Sequence, residues 1–385
     1  VVSNVREAMA VLAPYFYDYP GKSMRMIGVT GTNGKTTTAF LIHHLLQKNG
    51  RKSGLIGTIC NQIGEKIIES NNTTPDIVDL QLFLHQMKES HLSYVVMEVS
   101  SHALALNRIS GCEFDVGIFT NLTQDHLDFH HTLEEYRDAK LKLFSDLSDG
   151  KKENKRGIIN HDDSASKYFL SAASVPVWTY GYQEGSDFCV LKSEISQRGV
   201  RISIKTPEGI EELESSLVGD FNVYNILAAV AAVRSEGLNW AEIREGLASF
   251  EGVPGRFQQI SSQDGIPLVV VDYAHTPDGL KNVLETARKL TQGKLITVFG
   301  CGGDRDRTKR PLMGKIGAEL ADYVILTSDN PRSENPKEIL EDIFVAWESL
   351  EVKPEVISDR QEAIEKAVQL AQPGDVVLIS GKGHE

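Results

Sequence analysis

The stretch Met24-Arg-Met-Ile-Gly-Val-Thr-Gly-Thr-Asn-Gly-Lys-Thr-Thr-Thr38 runs from an apolar segment through a glycine-rich turn into a helical pattern. A strand, a turn that exposes backbone N–H groups and a helix N-terminus, in that order, make a cradle for nucleotide phosphates, because peptide dipoles and N–H groups converge on the anion. Lys35 adds a cation and Thr36 a hydroxyl suited to magnesium. The spacing departs from the common G-x-x-x-x-G-K. Its first glycine would fall on Val29, whereas Gly28 stands one place earlier and Gly31 lies inside the loop. An ordinary glycine turn is the competing reading; the position of Gly34-Lys35-Thr36 between a strand-like run and the helical segment 36–48 argues against it.

Outward from this loop, apolar runs that read as buried strands alternate with helical segments: 24–29, a helix near 77–88, then strands at 94–97 and 116–119. That rhythm implies parallel strands joined by crossover helices, with ligands beyond the carboxyl ends of the strands. Strand-like alternation follows over 187–218, and an alanine-rich helix over 222–233. A second α/β series begins after the turn Gly252-Val-Pro-Gly-Arg256. Its strands are expected near 267–271, 294–299, 323–327 and 376–380.

The 385 residues allow roughly two to three domains. Forty basic residues against 53 acidic ones give a formal charge of −13, which argues against general binding of nucleic acid or anionic membrane. An anionic substrate must then be held by local basic sites. Cys60, Cys112, Cys189 and Cys301 form no C-x-x-C or zinc spacing, so reduced thiols are expected. No apolar run approaches the ~20 residues of a membrane span, and the cytoplasm is the expected compartment. The chain opens on Val1 and stops at Glu385, as a piece of a longer protein would.

The chemistry-bearing residues follow the strand-like runs. Glu98-Val-Ser-Ser-His102 comes after one and Thr120-Asn-Leu-Thr-Gln-Asp-His-Leu-Asp128 after the next, so that Glu98 and His126 could reach the magnesium of a bound nucleotide. Singly, Glu98 reads equally as a helix cap and His126 as a structural histidine. If 133–147 is a helix, Leu133, Tyr136, Lys140, Phe144 and Leu147 share one face, which puts a lysine inside an apolar stripe. A buried amine loses its preference for charge and becomes nucleophilic; on helical phase alone, a lysine snorkelling to solvent is the stronger reading.

In the second half, Gly300 and Gly302 mimic the first two glycines of a dinucleotide fingerprint, but Arg305 occupies the third position, which disfavours a nicotinamide cofactor. The planar fork of Arg305 suits carboxylate or phosphate. Arg307, Lys309 and Arg310 read as a solvated charge run. Asp329-Asn-Pro-Arg332 and Gly381-Lys-Gly-His-Glu385 each follow a strand, and an arginine beside Asp329 or Glu385 would suit an amino-acid zwitterion.

Together with Asn72-Thr-Thr-Pro75, Tyr136-Arg-Asp-Ala-Lys140, Gly219-Asp-Phe-Asn-Val-Tyr-Asn225, Gly255-Arg-Phe257 and Asp272-Tyr-Ala-His275, these motifs follow one another as in the Mur ligases, which the chain resembles almost end to end. The resemblance implies a P-loop-type central ATPase domain with a mostly parallel sheet over 1–253, and a Rossmann-like α/β carboxyl-terminal domain, cut short, over 254–385. The family's amino-terminal uridine-binding domain would be missing. It further implies ATP-dependent amide formation through an acyl phosphate.

By the same resemblance Gly31, Thr32, Asn33, Gly34, Lys35, Thr36, Thr37, Asn225, Arg256 and Asp272 would bind ATP. Thr36 and Glu98 would hold one Mg2+, and His126 with a carbamylated Lys140 a second, which makes Lys35, Lys140 and His126 the expected catalytic set. Thr73, Thr74, Ser100 and Arg108 would contact a UDP-N-acetylmuramoyl dipeptide. Arg305, Asp329, Asn330, Arg332, Gly381 and Glu385 would hold the incoming amine. The D-N-P-R form implies meso-diaminopimelate rather than L-lysine, and a monomer is expected. The alternatives are a Mur-type ligase adding lysine or a D-alanyl dipeptide, a folylpolyglutamate synthetase, and a nucleotide-binding module without catalysis.

Overall fold

A computed structural model describes residues 2–261, 266–348, 350–351 and 353–383, and these residues group into two compact units. The first comprises Val1–Leu122 and Thr132–Glu251; the second comprises Thr123–His131 and Gly252–Glu385.

Among the described residues, eleven strands form the sheet of the first unit. They are β1 (Arg25–Thr30), β2 (Ser53–Ile56), β3 (Cys60–Ile63), β4 (Lys66–Glu69), β5 (Tyr94–Glu98), β6 (Val116–Phe119), β7 (Arg156–Asn160), β8 (Val177–Gly181), β9 (Phe188–Ser196), β10 (Gly199–Thr206) and β11 (Gly209–Ser215). The spatial order is β11-β10-β9-β8-β7-β6-β1-β5-β2-β3-β4. The stretch from β9 to β2 is parallel and both ends finish in antiparallel hairpins, which makes the sheet mostly parallel, as expected.

The central strands are mostly apolar because helices cover both of their faces. β1 is buried from Met26 to Thr30, and its alignment on β5 places Val29 beside Glu98. The helix Lys35–Lys48 packs against the helix Asp220–Ser235, whose alanine-rich sequence lets it lie buried along most of its length against β6, β7, β8 and β9. Leu143, Phe144 and Leu147 of the helix Leu133–Asp149 join the core that includes Met26, Phe114, Phe119 and Phe169.

The second unit carries β12 (Gln258–Ser261), β13 (Leu268–Asp272), β14 (Leu295–Phe299), β15 (Tyr323–Leu326), β16 (Glu355–Val356) and β17 (Val376–Ser380) in the order β12-β13-β17-β14-β15-β16. Only β12 among these runs antiparallel to its neighbour. Its core includes Ile296, Val298, Ile325, Val377 and Ile379 with Ala363 and Ala367. Strand β17, last in sequence, inserts between β13 and β14, so the ends of β13, β14, β15 and β17 are neighbours.

Candidate active site

In the first unit the loop after β1 lies against the segment after β6. Thr32 donates its backbone N–H to the carbonyl of Asn121 at 2.9 Å, and Asn33 donates to Asn121 Oδ1 at 2.8 Å. Thr120 Oγ1 and Asn121 Nδ2 both donate to the Asn33 carbonyl, at 2.7 and 3.1 Å. Gly31 has φ +149°, and any Cβ there would run into Thr120 Oγ1; Gly34 has φ +84°, and a Cβ would run into Asn225 Oδ1. Both positions therefore need glycine for two reasons, backbone conformation and close approach. Gly34 is the N-cap of the fourteen-residue helix Lys35–Lys48, so the helix N-terminus and its positive dipole end stand directly behind the loop.

Lys35 Nζ donates to the carbonyls of Gly31 and Thr32 at 3.0 and 2.8 Å. Lys140 Nζ donates to the same Gly31 carbonyl at 2.8 Å and stands 4.3 Å from the Tyr136 ring centre, while Tyr136 donates its hydroxyl to Thr32 Oγ1 at 3.3 Å. Lys140 is 1% exposed. The snorkelling reading is therefore overturned: the amine finds a buried carbonyl acceptor and does not reach solvent. Leu133, in contrast, is exposed, so the buried stripe begins at Tyr136.

Glu98 has no exposed surface. Its carboxylate accepts from Thr36 Oγ1 at 2.9 Å, from the backbone N–H of Thr58 at 2.8 Å and from Thr58 Oγ1 at 3.0 Å. Its alternative role as a helix cap does not hold, since Ser100 caps the helix Ser101–Ala105 through Ala103 N. Thr58 Oγ1 also lies 3.0 Å from Thr73 Oγ1; Thr74 Oγ1 donates to the Glu98 carbonyl at 2.8 Å and accepts from Ser100 N at 3.0 Å. Arg108 donates to the Thr74 carbonyl at 3.1 Å and pairs with Asp76 at 2.9 Å. Thr36, Thr58, Thr73, Thr74, Glu98, Ser100 and Arg108 thus form one hydrogen-bonded chain, with Thr58 linking Thr73 to Glu98. Thr37 is buried beside Thr36, and Asn225 donates to Asn222 Oδ1 at 2.9 Å. The sequence reading missed Thr58, whose one signal was its place two residues beyond β2.

In the second unit, His126 holds a left-handed backbone (φ +56°) and its Nε2 lies 3.3 Å from the Asp125 carboxylate, which is also 3.9 Å from His275. Burial alone would raise the Asp125 carboxyl, but the neighbouring charges of His126, His275 and Lys309 hold it down to about 2. Asp272, at the end of β13, accepts from Phe257 N at 2.6 Å and Ala274 N at 2.7 Å. Burial pushes its carboxyl up against the opposing effects of Arg256 and these N–H groups. The Arg256 guanidinium lies 4.6 Å over the Tyr273 ring.

Beyond β15, Asn330 Oδ1 accepts from Lys382 Nζ at 3.0 Å, and Arg332, left-handed at φ +50°, donates Nη1 to the Gly303 carbonyl at 2.6 Å. Gly381 lies so near that a Cβ would stand 3.5 Å from the Asp329 carboxylate. Arg305 lies 3.8 Å from Asp128. Glu385 falls outside the described residues. The charge run did not stay in solvent: Arg310 is wholly buried and Lys309 is 6% exposed, while Arg307 alone is surface-exposed, paired to Asp342 at 2.9 Å. Burial is tolerated at Arg310 because Glu334 and Asp342 meet its guanidinium.

Residues 29–233 match the Mur ligase middle domain, and residues 255–383 match the Mur ligase, glutamate ligase domain. The chain is 48% identical to the UDP-N-acetylmuramoyl-L-alanyl-D-glutamate–2,6-diaminopimelate ligase of Geobacillus kaustophilus strain HTA426, covering 100% of this chain and 79% of that protein. It is 47% identical to the ligase of the same name from Bacillus velezensis, with 100% and 78% covered. A solved structure of a UDP-N-acetylmuramoyl-L-alanyl-D-glutamate–2,6-diaminopimelate ligase superposes with a TM-score of 0.70 at 36% identity, over 98% of this chain and 78% of the other. Folylpolyglutamate synthase of Mycobacterium tuberculosis in complex with ADP shares the fold, with a TM-score of 0.82 at 18% identity over 97% and 91%. Across both units, then, the chain belongs to the Mur ligase family and is an ATP-dependent ligase.

Proposed function

We propose that this ligase joins meso-diaminopimelate to the D-glutamate carboxylate of UDP-N-acetylmuramoyl-L-alanyl-D-glutamate, a step in peptidoglycan precursor synthesis. The observation that carries this reading is the 48% identity, over the whole of this chain, to a protein that bears that activity in its name. The Asp329-Asn-Pro-Arg332 loop beyond β15 supports the choice of amine, since a distal carboxylate beside an ammonium gives an arginine fork and an acidic group something to hold.

The phosphate-binding role falls to the loop Gly31–Lys35 and the start of the helix Lys35–Lys48 behind it. Thr36 and Glu98 are hard oxygen donors 2.9 Å apart and fit Mg2+, which is commonly held by one or two carboxylates together with substrate phosphates and water. ATP supplies the phosphoryl group that turns the acid into an acyl phosphate open to attack by the amine. Thr73, Thr74, Ser100 and Arg108 hold the muramoyl dipeptide in this reading, and Lys140, once carbamylated, would offer a further oxygen ligand for Mg2+. That role of Lys140 rests on the family resemblance.

The test is phosphate release with ATP, the muramoyl dipeptide and a panel of amino acids. Release and a product of the matching mass are expected with meso-diaminopimelate far above L-lysine or D-alanyl-D-alanine. Equal turnover with lysine would remove the assignment of the amine, and release independent of any amine would remove the ligation.

A further inference from the structure

If the loop Asp329–Arg332 selects the amine, a buried ionic cluster under it gains a purpose. Arg310, near the start of the helix Lys309–Leu320, has no exposed side-chain surface. Its terminal nitrogens grip Glu334 in a two-pronged pair, Nη1 to Oε2 at 2.9 Å and Nη2 to Oε1 at 2.8 Å. Nη1 also donates to Asp342 Oδ2 at 2.8 Å, and Nη2 to the Gly302 carbonyl at 3.3 Å. A desolvated ion pair contributes little net stability compared with well-packed apolar side chains of the same volume, so its presence asks for a geometric reason.

Glu334 supplies that reason. Its Oε1 also accepts from the backbone N–H of Asp304 at 2.5 Å, and Asp304 accepts from Ser333 N at 3.0 Å and from Ser333 Oγ at 2.7 Å. One residue earlier, Gly303 donates its N–H to the Asn330 carbonyl at 2.9 Å and accepts from Arg332 Nη1 at 2.6 Å. The loop after β14, which carries Arg305, is therefore stitched to the loop after β15, which carries Asn330 and Arg332, and Arg310 anchors the seam from below. Asp304 and Arg332 both hold left-handed backbone, φ +51° and +50°. Non-glycine residues keep such conformations where the surroundings over-determine them.

We propose that Arg310, clasped by Glu334 and Asp342, is a positioning residue for amine selection: it fixes the spacing between the Arg305 loop and the Asn330–Arg332 loop without touching substrate. The proposal rests on the reading of Asp329–Arg332 as the amine-binding loop. A lysine at position 310 would keep the charge and lose the fork, and a glutamine at position 334 would keep the shape and lose an acceptor.

The test compares Arg310→Lys, Glu334→Gln and Arg332→Ala in the full-length enzyme, measuring kcat and the KM of ATP, muramoyl dipeptide and meso-diaminopimelate. Each clasp variant is expected to raise the amine KM about tenfold, to leave kcat at saturating amine and the other two KM values within about twofold, and to narrow the preference for diaminopimelate over lysine. A fall in kcat with the amine KM unmoved is what a merely structural cluster would give, and it overturns the proposal. If Arg332→Ala raises the amine KM and the clasp variants do not, the clasp fails and the loop reading stands. If Arg332→Ala leaves the amine KM unchanged, the loop reading fails and the clasp falls with it. Should Arg310→Lys not fold, Glu334→Gln decides alone, because its side chain lies at the partly exposed rim of the cluster.

Discussion

The Lys140 amine is enclosed by the Tyr136 ring and the Gly31 carbonyl, at the base of the loop Gly31–Gly34. Replacing it with alanine removes both the donor to that carbonyl and any carbamate formed on it. Ligation is expected to fall by at least about a hundredfold, the scale seen when one charge-stabilising group is lost from an active site. Wild-type enzyme stripped of bicarbonate should lose activity and regain it when bicarbonate and carbon dioxide return; an active alanine variant would end the role given to Lys140. His43 offers a separate test at the same scale. It is buried, its Nδ1 lies 2.9 Å from Ser53 Oγ, and burial pushes its pKa down to about 4. Because the folded value lies below the ordinary 6.5, the unfolded chain binds the proton more readily between those values. The His43 contribution to stability is complete above pH 6.5 and lost as pH falls to about 4, on the order of 3 kcal/mol in all. Urea titrations across that range should show a shallower pH slope for His43→Gln than for the parent, and an identical slope would refute the assignment. Helical phase revealed that Lys140 sat among apolar neighbours, but its acceptor lies 109 residues away in sequence, out of reach of any local pattern.

At the scale of elements, the apolar runs and the residues just after them were legible because parallel strands are buried on both faces and present their ligands at their carboxyl ends. The run 116–119 and the run 376–380 coincide with β6 and β17. The turn Gly31–Gly34 was legible through its glycines, and the structure adds why they are needed. Gly31→Ala would force a Cβ into Thr120 Oγ1 at a φ that L residues rarely adopt. The expected result is ATP binding weakened by at least about tenfold, with a loss of roughly 1–3 kcal/mol of stability from the strained backbone, seen by calorimetric titration with ATP and by urea melting. Unaltered ATP affinity would mean that the loop does not cradle the nucleotide. Arg310 was illegible for the opposite reason. A run of basic residues reads as solvated until acidic partners close over it, and these partners lie 24 and 32 residues further along. Thr58 shares that fate: a lone threonine after a short strand carries no signal until Glu98 is seen to accept from it twice.

For the molecule as a whole, a formal charge of −13 means that long-range attraction does not gather anionic substrates; in the proposed reading local groups such as Lys35, Arg305 and Arg332 do so. The grouping of Thr123–His131 with the second unit, rather than with the strands around it in sequence, is a feature that a linear reading of the chain does not show. The central claim is that the muramoyl dipeptide's own carboxylate is phosphorylated before the amine attacks. Its most direct test is turnover with that carboxylate labelled with 18O, followed by mass analysis of the released phosphate. One labelled oxygen should appear in each phosphate formed together with amide product, whereas phosphate free of label, with product still accumulating, would contradict the acyl-phosphate route.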